Sequence, residues 1–154
     1  MSRILSLMLS LLLVVAATYA ADGQTTSTYS GTLSDITMND KTFHDLSGKV
    51  FTLTLSSPTS GTIDGEVGKI GRMPGTLHFT LPVTIDADGT LHATRGDEAG
   101  RMTMNIGLSR KLVTESFSGW TGDQKLHFTL RITSSMLGIT MADATLTFDG
   151  QLQQ

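Results

Sequence analysis

Strict alternation of apolar and polar side chains is the feature of this sequence that most restricts its fold. In residues 77–85 every odd position is apolar, and the even positions are His, Thr, Pro and Thr. A period of two places successive side chains on opposite faces of a β-strand. The same period recurs in residues 51–56, 101–108, 126–133 and 144–149, and in shorter form in 29–33, 63–67 and 113–117. The chain is therefore predicted to be a series of strands, with residues 134–138 as its one short helical turn.

Turn signals between these segments indicate how neighbouring strands pair. A three-residue loop at 87–89 would place Ile85 opposite Leu91 and keep apolar side chains on one face, whereas a two-residue loop would mix the faces. Gly89 would then occupy the left-handed position that such loops favour. Two further turns are predicted, at residues 97–100 and 120–123.

The first twenty residues, MSRILSLMLSLLLVVAATYA, have the order of a secretory signal peptide. Arg3 precedes an apolar run, and small residues follow it. The run is shorter than the roughly 20 apolar residues that span a bilayer. Cleavage is predicted after Ala20, with Ala17 as the alternative site and an uncleaved N-terminal anchor as the alternative fate. The domain prediction is a signal peptide at 1–20 and one β-domain at 21–154.

Composition excludes several classes of function. The sequence has no cysteine, which excludes disulfides, thiol catalysis, cysteine-based zinc sites and lipid attachment to a cysteine. Its formal net charge is −3 and it contains no basic run, so the charge pattern of a nucleic-acid-binding protein is missing. The protein is predicted to be exported, to be periplasmic or secreted from a bacterium, and not to be a lipoprotein.

About eight or nine antiparallel strands with short connections predict a sandwich or a barrel. An exported protein must hide the unpaired edges of its sheets, and closure hides all of them. The fold class is therefore predicted as all-β, a single antiparallel up-and-down β-barrel of about eight strands, with a β-sandwich as the alternative. The interior of such a barrel is filled with side chains or holds one small ligand.

The phrase LHFTL occurs twice and places His78 and His127 at equivalent positions. The histidines would serve either as metal ligands or as outward residues of a strand that the fold uses twice. The predicted loop puts His92 roughly 20 Å from His78 along one strand pair, and a tight turn at 120–123 would put His127 near Ser116. Zinc needs three or four converging ligands. The prediction is no metal site, and two strands that each supply Leu-x-Phe-x-Leu to the interior.

Residues that would carry catalysis are sparse. There is no G-x-S-x-G motif and no phosphate-binding glycine motif, and most acidic residues cluster in turns. Alternation predicts that Glu115 lies on the apolar face of its strand. Its carboxylate would then either reach water at the barrel mouth or contact a ligand. Trp120 is interpreted as a rim residue that grips a ligand or as a plug at the barrel end. No enzyme activity and no cofactor are predicted.

The segment from T-Y-S-G-T-L at 28–33 to A-T-L-T-F-D-G at 144–150 resembles the calycin-like domains of exported bacterial proteins, which are related in shape to lipocalins. The resemblance implies an eight-stranded barrel that binds a lipid or another small apolar molecule, and it implies no catalytic residues. The leading hypothesis is a non-enzymatic barrel with such a ligand in its interior. The alternative is a structural or protein-interaction module of the cell envelope with a packed core. The candidate ligand-binding residues are Phe79, Met102, Met104, Glu115, Trp120 and Phe128.

Overall fold

All regular secondary structure in the computed structural model, which describes residues 24–72, 75–104 and 107–154, is β-strand. The strands in these ranges are β1 (Thr25–Met38), β2 (Lys41–Thr42), β3 (Leu46–Ser57), β4 (Ser60–Gly68), β5 (Gly75–Ile85), β6 (Thr90–His92), β7 (Glu98–Met104), β8 (Ser109–Gly122), β9 (Lys125–Met136) and β10 (Ile139–Leu152). The predicted signal peptide lies outside the described residues. The predicted helical turn at 134–138 is wrong, because β9 continues to Met136 and a two-residue turn follows it.

Eight strands close into an antiparallel barrel within the described ranges. Each of β1, β3, β4, β5, β7, β8, β9 and β10 pairs with the next, and β10 pairs with β1 to complete the ring. The two short strands are additional: β2 pairs with the end of β1, and β6 pairs with both β5 and β8. Neighbours in the barrel are thus neighbours in the chain, which confirms the predicted up-and-down barrel and not the sandwich.

The predicted register of the loop at 87–89 is confirmed. Ile85 pairs with Leu91, and Thr84 pairs with His92. Gly89 has a φ of 90°, in the left-handed region that favours glycine. A Cβ atom at this position would lie 2.1 Å from the backbone oxygen of Thr121, so only glycine lets this loop approach β8 so closely.

The other two predicted turns are displaced. Strand β8 runs to Gly122, and Asp123 and Gln124 form a two-residue turn with φ values of 52° and 64°. Positive φ at both central residues gives the turn a twist that matches its flanking strands. The turn at 120–123 was thus predicted too early, whereas the turn at 97–100 was predicted too late, since Glu98 already belongs to β7. In both cases residues typical of turns were taken as the turn itself, although they lie at the ends of strands.

The middle of the barrel is filled by aromatic rings. Phe51 lies at the centre of this packing, with ring centroids 4.6 Å from Phe148, 5.3 Å from Phe128 and 6.3 Å from Phe79. All four side chains are fully buried. The two LHFTL segments supply Phe79 and Phe128, and the leucines that flank each of them are also buried, as the alternation predicts.

Candidate functional site

A mostly apolar cavity opens at one end of the barrel, where β1, β7 and β10 meet the loop after β4. Its volume is about 570 Å³. Most of its lining is apolar, and three polar side chains and a glycine complete it. The lining residues are Met38, Asn39, Lys41, Phe43, Ile70, Gly71, Arg72, Met102, Met104, Met141 and Ala142. This end of the barrel is called the cavity end below.

Methionine dominates the wall of the cavity. Met38 and Met102 are buried at its inner side, Met104 is partly buried and Met141 is exposed at its rim. Methionine side chains are flexible and polarisable, so they adapt to apolar partners of different shape. The cavity therefore offers a deformable apolar surface.

Two short connections complete the wall. The turn between β1 and β2 has positive φ at Asn39 and Asp40, 51° and 68°, which turns the chain back so that Phe43 lies over the barrel end. The Phe43 ring packs against Gly71, where an added Cβ would lie only 2.3 Å from the ring. Gly71 also has a positive φ of 58°. A glycine is required here by both space and backbone conformation.

Hydrogen bonds and an ion pair fix the chain beside the mouth of the cavity. The backbone N–H of Asn39 donates to the carbonyl of Asp143, and the N–H of Asp143 donates to the Asn39 side-chain oxygen, at 2.9 and 3.0 Å. The guanidinium of Arg131 donates to both carboxylate oxygens of Asp143, at 3.0 and 2.8 Å. These bonds hold the pKa of the Asp143 carboxyl below its ordinary value and raise the pKa of Arg131.

The mouth of the cavity carries cations. Lys41 and Arg72 both line it, and both are exposed to solvent. Asn39 is the third polar side chain of the lining. The arrangement is amphipathic, with an apolar interior and a positively charged opening.

The predicted candidate residues are divided between three regions: the cavity, the packed middle of the barrel and the outer wall. Met102 and Met104 line the cavity, whereas Phe79 and Phe128 lie in the packed middle of the barrel and are not part of its lining. Phe43, Ile70 and the two cations were not predicted as site residues. Phe43, Ile70 and Arg72 belong to connections and Lys41 to the two-residue strand β2, so no alternation marks any of them.

The predicted inward orientation of Glu115 is wrong because a β-bulge resets the alternation. The register of β8 against β9 shifts between Thr114 and Ser116, which leaves Glu115 as the extra residue. Thr114 takes the buried position. The Glu115 carboxylate instead accepts a hydrogen bond from the Thr133 hydroxyl at 2.9 Å and lies 3.3 Å from the Arg95 guanidinium. It is part of a polar cluster on the outer wall.

Trp120 also lies on the outer wall, with 43% of its surface exposed. It pairs with His127 across β8 and β9, and the two rings stack with centroids 5.8 Å apart. Trp120 therefore does not plug the barrel end, and its interpretation as a rim residue that grips a ligand stays a prediction. The predicted position of His127 near Ser116 is also wrong. The turn lies at 123–124, later than predicted, and this shifts the pairing of β8 with β9 so that His127 lies opposite Trp120.

Each strand histidine has its own aspartate on the outer wall. His78 lies 3.3 Å from Asp64, His92 lies 2.7 Å from Asp86, and His127 contacts Asp149. No group of three or more potential metal ligands occurs within the described ranges. These histidines thus form separate pairs with a carboxylate.

Comparison with family models, with curated proteins and with solved structures gives no match to this chain. The closed eight-stranded antiparallel barrel agrees in shape with the calycin-like fold. Nothing in the described part of the chain forms a helix long and apolar enough to cross a membrane.

Proposed function

We propose that this protein is an exported, non-enzymatic β-barrel that binds a lipid or another small apolar molecule in the cavity described above. The observation that carries the proposal is the volume of about 570 Å³ behind a mostly apolar lining. Ligand sites in proteins are concave, mostly apolar and roughly 300–1,000 Å³ in volume. The four methionines of the lining suit a ligand whose shape varies.

The location of the proposed site differs from the middle of the barrel. Phe51, Phe79, Phe128 and Phe148 contact one another there, so binding at the centre would require these rings to separate. The cavity end requires no such rearrangement. Met102 and Met104 remain candidate ligand contacts, and Met38, Phe43 and Ile70 join them.

Membership of the calycin-like family is part of the proposal. Its support is the barrel itself, together with the two sequence segments at its first and last strands. Export is likewise proposed, on the order of charged, apolar and small residues at the start of the sequence.

The test is uptake of an apolar probe by purified protein. Delipidated protein is titrated with a fluorescent fatty-acid analogue, and native mass spectrometry shows whether an apolar molecule is retained on purification. Met104→Trp would fill the cavity from its wall and should weaken binding by about tenfold, equivalent to about 1.4 kcal/mol. Val50→Trp is the matched control, because Val50 lies on β3 away from the cavity and is exposed.

Two results would contradict the proposal: no saturable uptake of any apolar probe, or equal uptake by both tryptophan variants. The first result would favour the second candidate function, a protein-interaction module with a packed core. The observation in favour of that alternative is the aromatic packing that fills the barrel centre. An envelope protein recovered with the wild type in the absence of probe uptake would support it.

A further inference from the structure

The cavity end exposes an unusual concentration of large apolar side chains. Leu137 is 95% exposed, Ile139 is 67% exposed, and Met141 and Leu108 are each 46% exposed. Only two other large apolar side chains of the described residues, Val50 and Trp120, are exposed. Apolar side chains grouped on a surface mark an interaction site more often than isolated ones do. These four residues are called the apolar rim below.

Strand pairing places the apolar rim beside the cavity. Strand β8 begins directly after Leu108 and pairs antiparallel with β9, which ends directly before Leu137. The turns that hold these two leucines therefore lie at the same end of the barrel. Met141 belongs to the rim and also lines the cavity. Exposed apolar side chains thus extend from the cavity lining at Met141 to the tip of the β9–β10 turn at Leu137.

The charges at the two ends of the barrel differ in sign. Strand ends and connections at the cavity end carry five cations and three acids besides the Arg131–Asp143 ion pair, whereas those at the opposite end carry three acids and one cation. The cations of the cavity end are Lys41, Lys69, Arg72, Arg110 and Lys111, its acids are Asp40, Asp45 and Glu66, and the charged residues of the opposite end are Asp86, Asp88, Asp123 and Lys125. This excess of cations occurs in a protein whose net charge is −3. Four of the five cations are exposed, and none of the five lies within ion-pair distance of a carboxylate among the described residues.

We propose that the cavity end docks on an anionic lipid surface, with the apolar rim inserted at the level of the headgroups and the cations against them. Burial of apolar area and attraction of Lys and Arg to anionic lipid act together in proteins that bind at a membrane surface. The cavity would then open toward the bilayer, and an apolar molecule would pass between the two without crossing water. The inference extends the proposed function, but it depends on the rim and not on an occupied cavity.

The test is cosedimentation with vesicles of phosphatidylcholine alone and of phosphatidylcholine mixed with phosphatidylglycerol. The protein is expected to bind the mixed vesicles, and salt should weaken binding. Leu137→Ser combined with Ile139→Ser should reduce binding at least about tenfold, because two exposed apolar side chains no longer insert. Val50→Ser, on the barrel wall, should bind like the wild type. All variants carry the same N-terminus, so differences between them report on the rim alone.

Cations are tested separately. Lys69→Gln combined with Arg72→Gln should weaken binding to mixed vesicles and leave the weak binding to phosphatidylcholine unchanged, whereas Lys125→Gln near the opposite end should change neither. Absence of vesicle binding by the wild type, or equal binding by the rim and Val50 variants, would overturn the proposal. A third result would also overturn the proposal: a wild type that is dimeric in sedimentation velocity and binds no vesicles, together with a rim variant that is monomeric. A second copy of the chain would then occupy the apolar rim. Probe uptake is measured in the absence of vesicles, so that failure of docking and failure of ligand binding are distinguished.

Discussion

At the scale of single residues, the ion pair of Arg131 with Asp143 makes the mouth of the cavity sensitive to acid. The two hydrogen bonds from the guanidinium lower the pKa of the carboxyl in the folded protein. A lowered pKa stabilises the folded state at pH values above the unfolded pKa, near 4, and this contribution is lost as pH falls through the folded value. The pair is exposed, so solvent screening keeps the effect small.

The first prediction follows from the lowered pKa of the Asp143 carboxyl, which stabilises the folded protein at neutral pH. Asp143→Asn should lower the midpoint of urea unfolding slightly at pH 7, and the difference from the wild type should shrink as pH falls through the lowered pKa of the Asp143 carboxyl. Asp45→Asn is the control, because Asp45 has no cationic partner among the described residues. If the midpoint of Asp143→Asn stayed equally far below that of the wild type at acidic pH, the stabilisation could not come from this ion pair.

Individual residues were predicted well wherever the strand stays regular. Phe79 and Phe128 are buried as their alternation requires. Glu115 was assigned to the wrong face, since one extra residue in a β-bulge inverts the alternation and leaves no mark on the apolar pattern. Trp120 was misplaced because the turn was predicted two residues too early, with Trp120 as its first residue. Side-chain orientation in a strand is thus predictable only up to the nearest irregularity.

At the scale of elements, the β9–β10 and β8–β9 turns both use two residues with positive φ, but with different sequences. The former is Leu137-Gly138, and the latter is Asp123-Gln124 with φ values of 52° and 64°. A left-handed conformation costs most non-glycine residues roughly 1–2 kcal/mol, whereas Gly, Asn and Asp tolerate it best. Gln124 is therefore the residue of the β8–β9 turn whose conformation is least favourable.

The second prediction is that Asp123→Asn combined with Gln124→Gly stabilises the protein by about 0.5–1 kcal/mol. Glycine gives the unfolded chain more conformational entropy, which favours unfolding. The net gain in unfolding free energy is therefore smaller than the full cost of the left-handed conformation. Urea unfolding should show a higher midpoint with an unchanged slope. The same pair of residues introduced at Pro58 and Thr59 serves as the control, because neither has a positive φ in the wild type and no gain is expected. A lower midpoint for the turn variant would show that Asp123 or Gln124 makes a contact that outweighs the strain.

At the scale of the whole molecule, closure of the barrel could be predicted and the cavity could not. Alternation and short connections define strands that pair in order, and unpaired edges favour closure. The cavity depends on Phe43 and Ile70, which lie in connections where no period exists to read. Its position also depends on how the aromatic residues fill the centre, a property of packing in three dimensions that residue spacing does not encode.

Closure depends on a close approach of backbone between β1 and β10. Gly31 pairs with Gly150 at this seam, and a Cβ at Gly31 would lie 1.9 Å from the backbone oxygen of Asp149. Backbone on both sides leaves no flexible side chain to move aside, so one strand must shift. If β1 and β10 separated, both would become unpaired edges and the ring would open into a sheet.

Gly31→Ala should therefore destabilise the protein by at least about 1–3 kcal/mol, the usual range for overpacking, measured as a lower midpoint of urea unfolding. Gly122→Ala is the control: nothing lies within 4 Å of its added Cβ, and the change should stay within about 0.5 kcal/mol. Hydrogen exchange should locate the damage at the seam, with faster exchange in the amides of Leu33 and Phe148, which pair across it. Wild-type stability of Gly31→Ala would mean that the two strands are not held at this distance, and the closed ring would have to be replaced by an open sheet.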